Sequence, residues 1–227
     1  MLLMRRCLSV TYNENDIINV VIAGTAGQGV ITLKRLIEFA AQKANVDKIL
    51  GSEMHGLAQR EGAITSHTRY QKTPFDDPRK NLQSPLICYG DADLYICFEP
   101  SEALRRGIFA SKKTTFVINS RTIPGVMITA NLEEYPSLEK INQTLKGVSD
   151  KVYMMNATQL ALDEFEQNQQ VNIIMLGFAI ATGNLPFIAI DHYEEVIKEW
   201  LRDADLNIKA LHLGIKKGKT IINQDRG

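Results

Sequence analysis

The strongest constraint on the fold is a short apolar run that leads directly into a glycine-rich turn. The run covers residues 17–23 and is interrupted only by Asn19, which is typical of a strand buried on both faces of a sheet. The turn reads Gly24-Thr-Ala-Gly-Gln-Gly29, and apolar residues then recur at helical spacing over residues 30–44. A strand, a tight turn and a helix in this order predict the first unit of an α/β domain.

The rest of the chain continues this alternation of strands and helices. We predict further strands at residues 46–50, 63–70, 92–98, 114–119, 126–130 and 152–155. We predict helices at residues 102–110 with Ser101 as N-cap, at 137–146, after Asn156, at 171–182, and at 191–201 with a capping box of Asp191 and Glu194. The expected fold is a Rossmann-like α/β three-layer sandwich with a mainly parallel sheet. No linker is visible, so residues 1–227 are expected to form a single domain with its core at about residues 17–202.

Composition excludes several classes of function. Lys plus Arg and Asp plus Glu both number 26, so the charge balance argues against nucleic-acid and membrane-surface partners. The cluster Lys216-Lys-Gly-Lys219 is a local exception, and we interpret it as a solvated terminus. Arg5 and Arg6 interrupt the apolar N-terminus, and the apolar stretch at residues 171–181 is too short to span a bilayer. No targeting signal emerges, and we expect a cytoplasmic protein.

The cysteines and histidines do not predict a metal site. Cys7, Cys88 and Cys97 are the three cysteines, and they are widely separated without a C-x-x-C pair. This chain alone therefore lacks the ligands for an iron–sulfur cluster, and Cys97, inside an apolar run, is expected to be buried. Zinc binding would require the fold to gather histidines from distant segments, so we predict no metal ion. The four histidines are His55, His67, His192 and His212.

The glycine turn is a candidate site for an anion. A turn between a buried strand and a helix N-terminus brings free N–H groups and the positive end of the helix dipole to one point. We therefore predict that a phosphate, for example that of coenzyme A, is bound by Gly24, Thr25, Gly27, Gln28 and Gly29. The spacing is neither that of a dinucleotide fingerprint nor that of a P-loop. The alternative is a tight turn that serves only the close packing of strand and helix.

The second candidate site is the polar segment at residues 51–62, which glycines punctuate. It carries Glu53, His55, Gln59, Arg60 and Glu61. His55 and Arg60 are the candidate catalytic residues. A guanidinium can bind a carboxylate or phosphate through two parallel hydrogen bonds, and the alternative for Arg60 is a salt bridge to Glu53 or Glu61. His67 lies in an alternating strand and is expected to be a half-buried structural residue.

Together these two segments resemble the gamma-type subunit of the 2-oxoacid:ferredoxin oxidoreductases, and most of all the small subunit of the indolepyruvate-specific enzymes. That family combines a Gly-x-Gly-Gly-Gln-Gly turn with a Ser-Glu-x-His-Gly-x-Ala-Gln-Arg-x-Gly loop. Here Ala26 stands where the family has its second glycine. Later landmarks follow in the family's order, and the resemblance covers roughly residues 17–202. These later landmarks are residues 84–87, residues 90–93, the pair Glu99-Pro100, and residues 172–177.

The resemblance implies a subunit that depends on a partner for its chemistry. The overall reaction converts a 2-oxoacid, here an aryl pyruvate such as indolepyruvate, with coenzyme A and oxidised ferredoxin to acyl-CoA, carbon dioxide and reduced ferredoxin. Thiamine diphosphate and iron–sulfur clusters would be carried by a large subunit, and ferredoxin would bind through the complex. Glu53, His55, Gln59 and Arg60 would belong to the surface that meets the large subunit. Two alternatives stay open, namely a stand-alone nucleotide- or phosphate-binding α/β protein and a purely structural subunit.

Overall fold

The computed structural model of the chain describes residues 11–55, 62–123 and 134–225. Its strands are β1 (Ile17–Thr25), β2 (Lys48–His55), β3 (Ala63–Gln71), β4 (Leu94–Cys97), β5 (Thr115–Asn119) and β6 (Val152–Met155). Its α-helices are α1 (Val30–Lys43), α2 (Pro100–Arg105), α3 (Leu138–Lys146), α4 (Ala157–Phe165), α5 (Val171–Ala181), α6 (Ile190–Trp200) and α7 (Ala204–Asp225). The strand predicted at residues 126–130 lies outside the described residues.

The strands form one sheet in the order β2-β3-β1-β4-β5-β6. Strands β1, β4, β5 and β6 are parallel neighbours, whereas β3 pairs antiparallel with both β1 and β2. Strand β2 therefore runs in the same direction as β1, and β3 is the one described strand that runs against the others. The expectation of a mainly parallel sheet is confirmed.

Helices cover both faces of the sheet. On one face Ile18, Val20 and Ile22 of β1 pack beneath α1 and the helices α4 to α7. On the other face Val21 and Ala23 pack with residues of α2 and α3. Because consecutive side chains of a strand point to opposite faces, the unbroken apolar run of β1 supplies both cores, and the three-layer sandwich follows. Within the described parts of the chain, no helix is long and apolar enough to cross a membrane.

Strand β2 is longer than its sequence pattern predicts. We expected a strand at residues 46–50 followed by a polar loop, but Gly51, Glu53 and His55 continue the strand to its end. Pairing with β3 overrides the low strand propensity of these residues. Gly51 lies directly under α1, where an added Cβ would come within 2.0 Å of Glu38 Oε1. The polar segment is thus a strand first and a loop only after His55.

Two helix starts differ from prediction because other side chains act as caps. Helix α2 begins at Pro100, and the Glu99 carboxylate, rather than Ser101, accepts hydrogen bonds from its first amides. A short 3₁₀ turn, Gly107–Phe109, replaces the last part of the predicted helix. Helix α6 begins at Ile190, and His192 Nδ1 accepts from the Ala189 N–H, so the predicted capping box of Asp191 and Glu194 is wrong.

Candidate functional site

The sheet changes its helix-bearing side between β1 and β4. These strands are neighbours, but α1, which follows β1, packs on one face and α2, which follows β4, packs on the other. In open α/β sheets such a switch point leaves a crevice at the carboxyl ends of the strands, where ligands bind. A cavity of about 400 Å³ is found at this position and is named here the switch-point crevice. Its lining residues are Gly27, Gln28, Gly29, Phe98, Asn119, Arg121, Ile123, Thr158, Asn168, Gln169, Val171 and Asn172.

The glycine turn is held by its own side chain and backbone. The Thr25 N–H donates to Gln28 Oε1 at 2.7 Å, and the Gln28 N–H donates to the Thr25 carbonyl at 3.2 Å. Gly27 and Gly29 have φ angles of 88° and 82°, a region that side-chain-bearing residues rarely adopt. Among the described residues, apart from its two chain neighbours, no heavy atom lies within 4 Å of a Cβ added at Gly27. The turn therefore presents backbone, and no side chain, to the crevice at Gly27.

Two helix N-termini border the crevice without side-chain caps. Helix α1 starts after Gly29 and helix α5 after Gln170, and neither N-cap residue provides a side-chain cap, although Asn172 Oδ1 accepts a hydrogen bond from the Ile173 N–H in the first turn of α5. The amides of a first helical turn lack partners inside the helix, and the dipole places partial positive charge there. Neither first turn carries an acidic residue. The field at this end of the crevice favours an anion.

Arg121 adds a full positive charge to the same crevice. It follows β5 closely, its side chain is exposed, and within the described part of the chain it has no salt-bridge partner. Sequence patterns alone did not indicate Arg121 as a site residue. The signal that could have indicated it is a basic residue placed directly after a buried parallel strand, because such strands end at the ligand-binding edge.

The polar segment lies on the same sheet edge as the glycine turn. Ile64 of β3 pairs with Gly24 on one side and with His55 on the other, so His55 and Gly24 stand at the same level of the sheet. At the other end of the segment, the Gly62 carbonyl accepts a hydrogen bond from the Ala26 N–H at 3.1 Å. Both ends of the segment are thus tied next to the turn. Gln59, Arg60 and Glu61 lie outside the described residues.

Glu53 is engaged within the chain. Lys34 Nζ of α1 lies 3.3 Å from Glu53 Oε1 and 3.4 Å from Glu38 Oε2. Burial raises the pKa of the Glu38 carboxyl, and the adjacent Lys34 opposes that shift. The lysine therefore joins helix α1 to strand β2 at a point where two carboxylates would otherwise repel each other.

The remaining candidates have structural environments. His67 is buried, and its Nδ1 accepts a hydrogen bond from the Ile87 N–H at 3.1 Å; it is more deeply buried than predicted. Cys97 is buried as expected, and burial raises the pKa of its thiol. His212 pairs with Glu194 and His192 caps α6. Among the described residues, no group of three or more histidine, cysteine or acidic side chains could hold a metal ion.

Residues 19–217 match the family model "Pyruvate ferredoxin/flavodoxin oxidoreductase". The indolepyruvate oxidoreductase subunit IorB of Archaeoglobus fulgidus is 34% identical over 87% of this chain and 93% of its own length.

Two solved structures share the fold. The gamma subunit of a keto/oxoacid ferredoxin oxidoreductase from Geobacter sulfurreducens superposes with a TM-score of 0.62 at 16% identity, covering 89% of this chain and 99% of that one. The 2-oxoglutarate:ferredoxin oxidoreductase from Magnetococcus marinus, solved with 2-oxoglutarate, coenzyme A and succinyl-CoA bound, gives 0.63 at 18% identity. That match covers 90% of this chain and 31% of the larger chain.

Proposed function

Because the chain belongs to the pyruvate ferredoxin/flavodoxin oxidoreductase family, we propose that it is the small subunit of an indolepyruvate-type 2-oxoacid:ferredoxin oxidoreductase. The observation that carries this proposal is the 34% identity to a curated indolepyruvate oxidoreductase subunit across 93% of that subunit's length. The substrate would be an aryl pyruvate, and the product its acyl-CoA.

Enzymes of this family use thiamine diphosphate, iron–sulfur clusters and coenzyme A. The residues of this chain do not fit the first two groups. Of its three cysteines, Cys97 is buried with its thiol hydrogen-bonded to the Glu99 carbonyl, and none forms a C-x-x-C pair. A thiamine-binding Gly-Asp-Gly sequence is also absent. Carbanion stabilisation and electron removal are cofactor chemistry, and we assign them to a larger partner subunit.

The contribution of this chain would be to bind the third group, coenzyme A. The switch-point crevice combines the glycine turn, two helix N-termini without a side-chain N-cap and Arg121, and none of the described residues that line it is acidic. Such a crevice suits a phosphate or pyrophosphate group. Gly24, Thr25, Gly27, Gln28 and Gly29 would form the phosphate-binding turn, and Gly27, Gln28 and Gly29 are the members of the turn that line the crevice.

The function is tested by reconstitution of this chain with a large subunit that carries thiamine diphosphate and iron–sulfur clusters. Reduction of ferredoxin or a viologen dye is measured anaerobically with thiamine diphosphate, coenzyme A and a panel of indolepyruvate, phenylpyruvate, pyruvate and 2-oxoglutarate. We expect turnover by the complex, highest with an aryl pyruvate, and none by the isolated chain. Turnover by the isolated chain, or an assembled complex inactive with all four acids, would refute the assignment.

We further propose that Glu53, His55, Gln59 and Arg60 contribute to the surface that meets the large subunit. Support comes from the register that brings His55 level with Gly24, and from the Ala26–Gly62 hydrogen bond. Arg60→Ala and His55→Ala variants are compared with the wild type for assembly and for turnover of the complex. We expect weaker assembly or lower turnover in at least one. Wild-type behaviour of both variants would leave this segment as ordinary surface.

A further inference from the structure

We infer that the Arg121 guanidinium binds the phosphate group of the crevice ligand and that the buried carboxylate of Glu99 positions Arg121. This inference rests on the proposed binding of a phosphorylated ligand in the switch-point crevice. It assigns a specificity-determining residue and a positioning residue, neither of which belongs to the glycine turn or to the polar segment.

Arg121 is the one charged group among the described residues that line the crevice. The other lining side chains are neutral, and in the described part of the chain no acidic side chain pairs with Arg121. An unpaired guanidinium keeps its full attraction for an anion, and its planar fork matches two phosphate oxygens at once. A neutral ligand of similar shape would gain nothing from this group.

The backbone around Arg121 is held on both sides. On one side the Ser120 N–H donates to the Met155 carbonyl at 2.9 Å, which fastens the end of β5 to β6. On the other side the Ile123 N–H donates to Glu99 Oε1 at 3.3 Å. Only Arg121 and Thr122 lie between these two anchors, so the Glu99 carboxylate decides where the guanidinium can reach.

Both oxygens of the Glu99 carboxylate accept hydrogen bonds. Its side chain is 1% exposed, and Oε2 accepts hydrogen bonds from the Ser101 N–H at 2.8 Å, the Ser101 hydroxyl at 2.5 Å and the Glu102 N–H at 3.2 Å. The Tyr135 hydroxyl donates to Oε1, the oxygen that also binds Ile123. Since both oxygens are occupied by donors, the carboxylate anchors the backbone instead of neutralising Arg121. An amide at this position would turn an N–H₂ group toward one of these donors.

The test compares the binding of coenzyme A with that of pantetheine, which lacks the phosphates. Isothermal titration is performed on the assembled complex with the wild-type chain and with Arg121→Ala, Glu99→Gln, Tyr135→Phe and the Arg121→Ala/Glu99→Gln double variant. The exposed Glu139→Gln serves as the control. We expect Arg121→Ala to weaken coenzyme A by about tenfold or more and to leave pantetheine unchanged.

If Glu99 positions Arg121, further binding results are expected from the variants. Glu99→Gln should also weaken coenzyme A selectively, and the double variant should be no weaker than Arg121→Ala alone, because the two residues act through one contact. Tyr135→Phe, a milder change that keeps the carboxylate, should also weaken the binding of coenzyme A. This variant provides the test if Glu99→Gln fails to fold.

Three outcomes would overturn the inference. The first is that Arg121→Ala changes the affinity for coenzyme A and for pantetheine by the same factor. The second is that the losses of coenzyme A affinity in Arg121→Ala and Glu99→Gln add up in the double variant. The third is that the wild-type complex binds coenzyme A and pantetheine with equal affinity. Turnover of indolepyruvate by the same wild-type complex separates this failure from failure of the proposed function. A complex that turns over indolepyruvate but binds coenzyme A and pantetheine equally well rejects only the binding of phosphate by Arg121.

Discussion

At the scale of the residue, the glycine turn needs its two leading glycines for different physical reasons. Gly24 has no space for a side chain, since an added Cβ would come within 2.7 Å of Gln28 Oε1 and 2.9 Å of Val30 Cγ2. Gly27 has open space around it but a φ angle of 88°. The first position is therefore fixed by packing and the second by backbone conformation.

A substitution series separates these two causes. At Gly27 we expect Gly27→Ala to lower the free energy of unfolding by about 1–2 kcal/mol, the cost of a left-handed conformation for a residue with Cβ. Gly27→Val should cost more because a β-branched residue tolerates this region least, whereas Gly27→Asn should cost little. Denaturant unfolding of the three variants provides the measurement. Equal losses for Asn and Val would show that φ is not the cause.

His67 makes stability depend on pH. Burial, with a smaller contribution from Arg69, lowers the pKa of the imidazole to about 4, below its usual value of about 6.5. The unfolded chain therefore binds more protons than the folded chain between these two values. The stabilising effect of the neutral ring is fully present above the unfolded pKa and is lost as the pH falls toward the folded one.

We expect the free energy of unfolding to fall by about 3 kcal/mol between pH 6.5 and pH 4 on account of His67. The His67→Asn variant keeps an acceptor for the Ile87 N–H but does not titrate, so its unfolding free energy should fall less over the same interval. Urea unfolding at half-unit steps of pH gives both curves. Parallel curves would contradict a buried, neutral histidine.

At the scale of the element, the closest packing is the crossing of α5 and α7. A Cβ added at Gly177 would lie 2.2 Å from the Leu211 carbonyl oxygen, and one added at Gly214 would lie 2.1 Å from the Ile174 carbonyl oxygen. Each helix thus uses a glycine to let the backbone of the other approach. This contact makes α7 a fixed part of the domain, so the cluster at residues 216–219 belongs to a packed helix and not to a free terminus, while its three lysines are exposed on the solvated face of that helix.

Gly177→Ala and Gly214→Ala are expected to destabilise the protein by about 1–3 kcal/mol each, because backbone atoms cannot move aside for the added methyl group. Gly107→Ala is the matched control, since nothing lies within 4 Å of its Cβ position and its φ is not positive. Thermal unfolding of the three variants tests the contrast. A stability loss at Gly107 equal to that at Gly177 would argue against the close crossing.

At the scale of the whole molecule, α7 completes the larger of the two cores. Leu211, Ile215 and Ile222 are buried there together with the apolar face of the sheet. Our expectation of a core ending at about residue 202 did not include this helix. The single domain proposed for the chain then depends on its last described helix as much as on β1.

We predict that truncation after residue 202 prevents cooperative folding. Burial of three Leu or Ile side chains contributes about 5–9 kcal/mol, which is comparable to the entire stability of a typical domain. The expected result is a broad thermal transition and binding of a dye for exposed apolar surface. Lys217→Gln, on the exposed face of α7, should melt like the wild type. A truncated chain with a sharp transition near the wild-type temperature would refute the prediction.

Sequence patterns predicted those helices, strands and turns whose conformation is determined by their own side chains. The apolar run of β1, the glycines of the turn and the helical spacing after it are local signals, and the structure confirms all three. The helix at residues 171–182 was predicted for the same reason, because an almost entirely apolar stretch of that length must be buried. The extension of β2 through Gly51 and Glu53 was not predictable, since pairing with β3 and the contact with Lys34 come from distant parts of the chain.

The sequence by itself determined the fold class, the family resemblance and the turn that faces the proposed ligand, since each of these depends on residue types at fixed short spacing. Only the tertiary structure brought Arg121 and the N-terminus of α5 to the same crevice as Gly27 and placed the Glu99 carboxylate against the backbone next to Arg121. These groups come from segments that are far apart in the chain. Their meeting point is set by the order of strands in the sheet and by the side on which each helix packs, and no local pattern encodes that order.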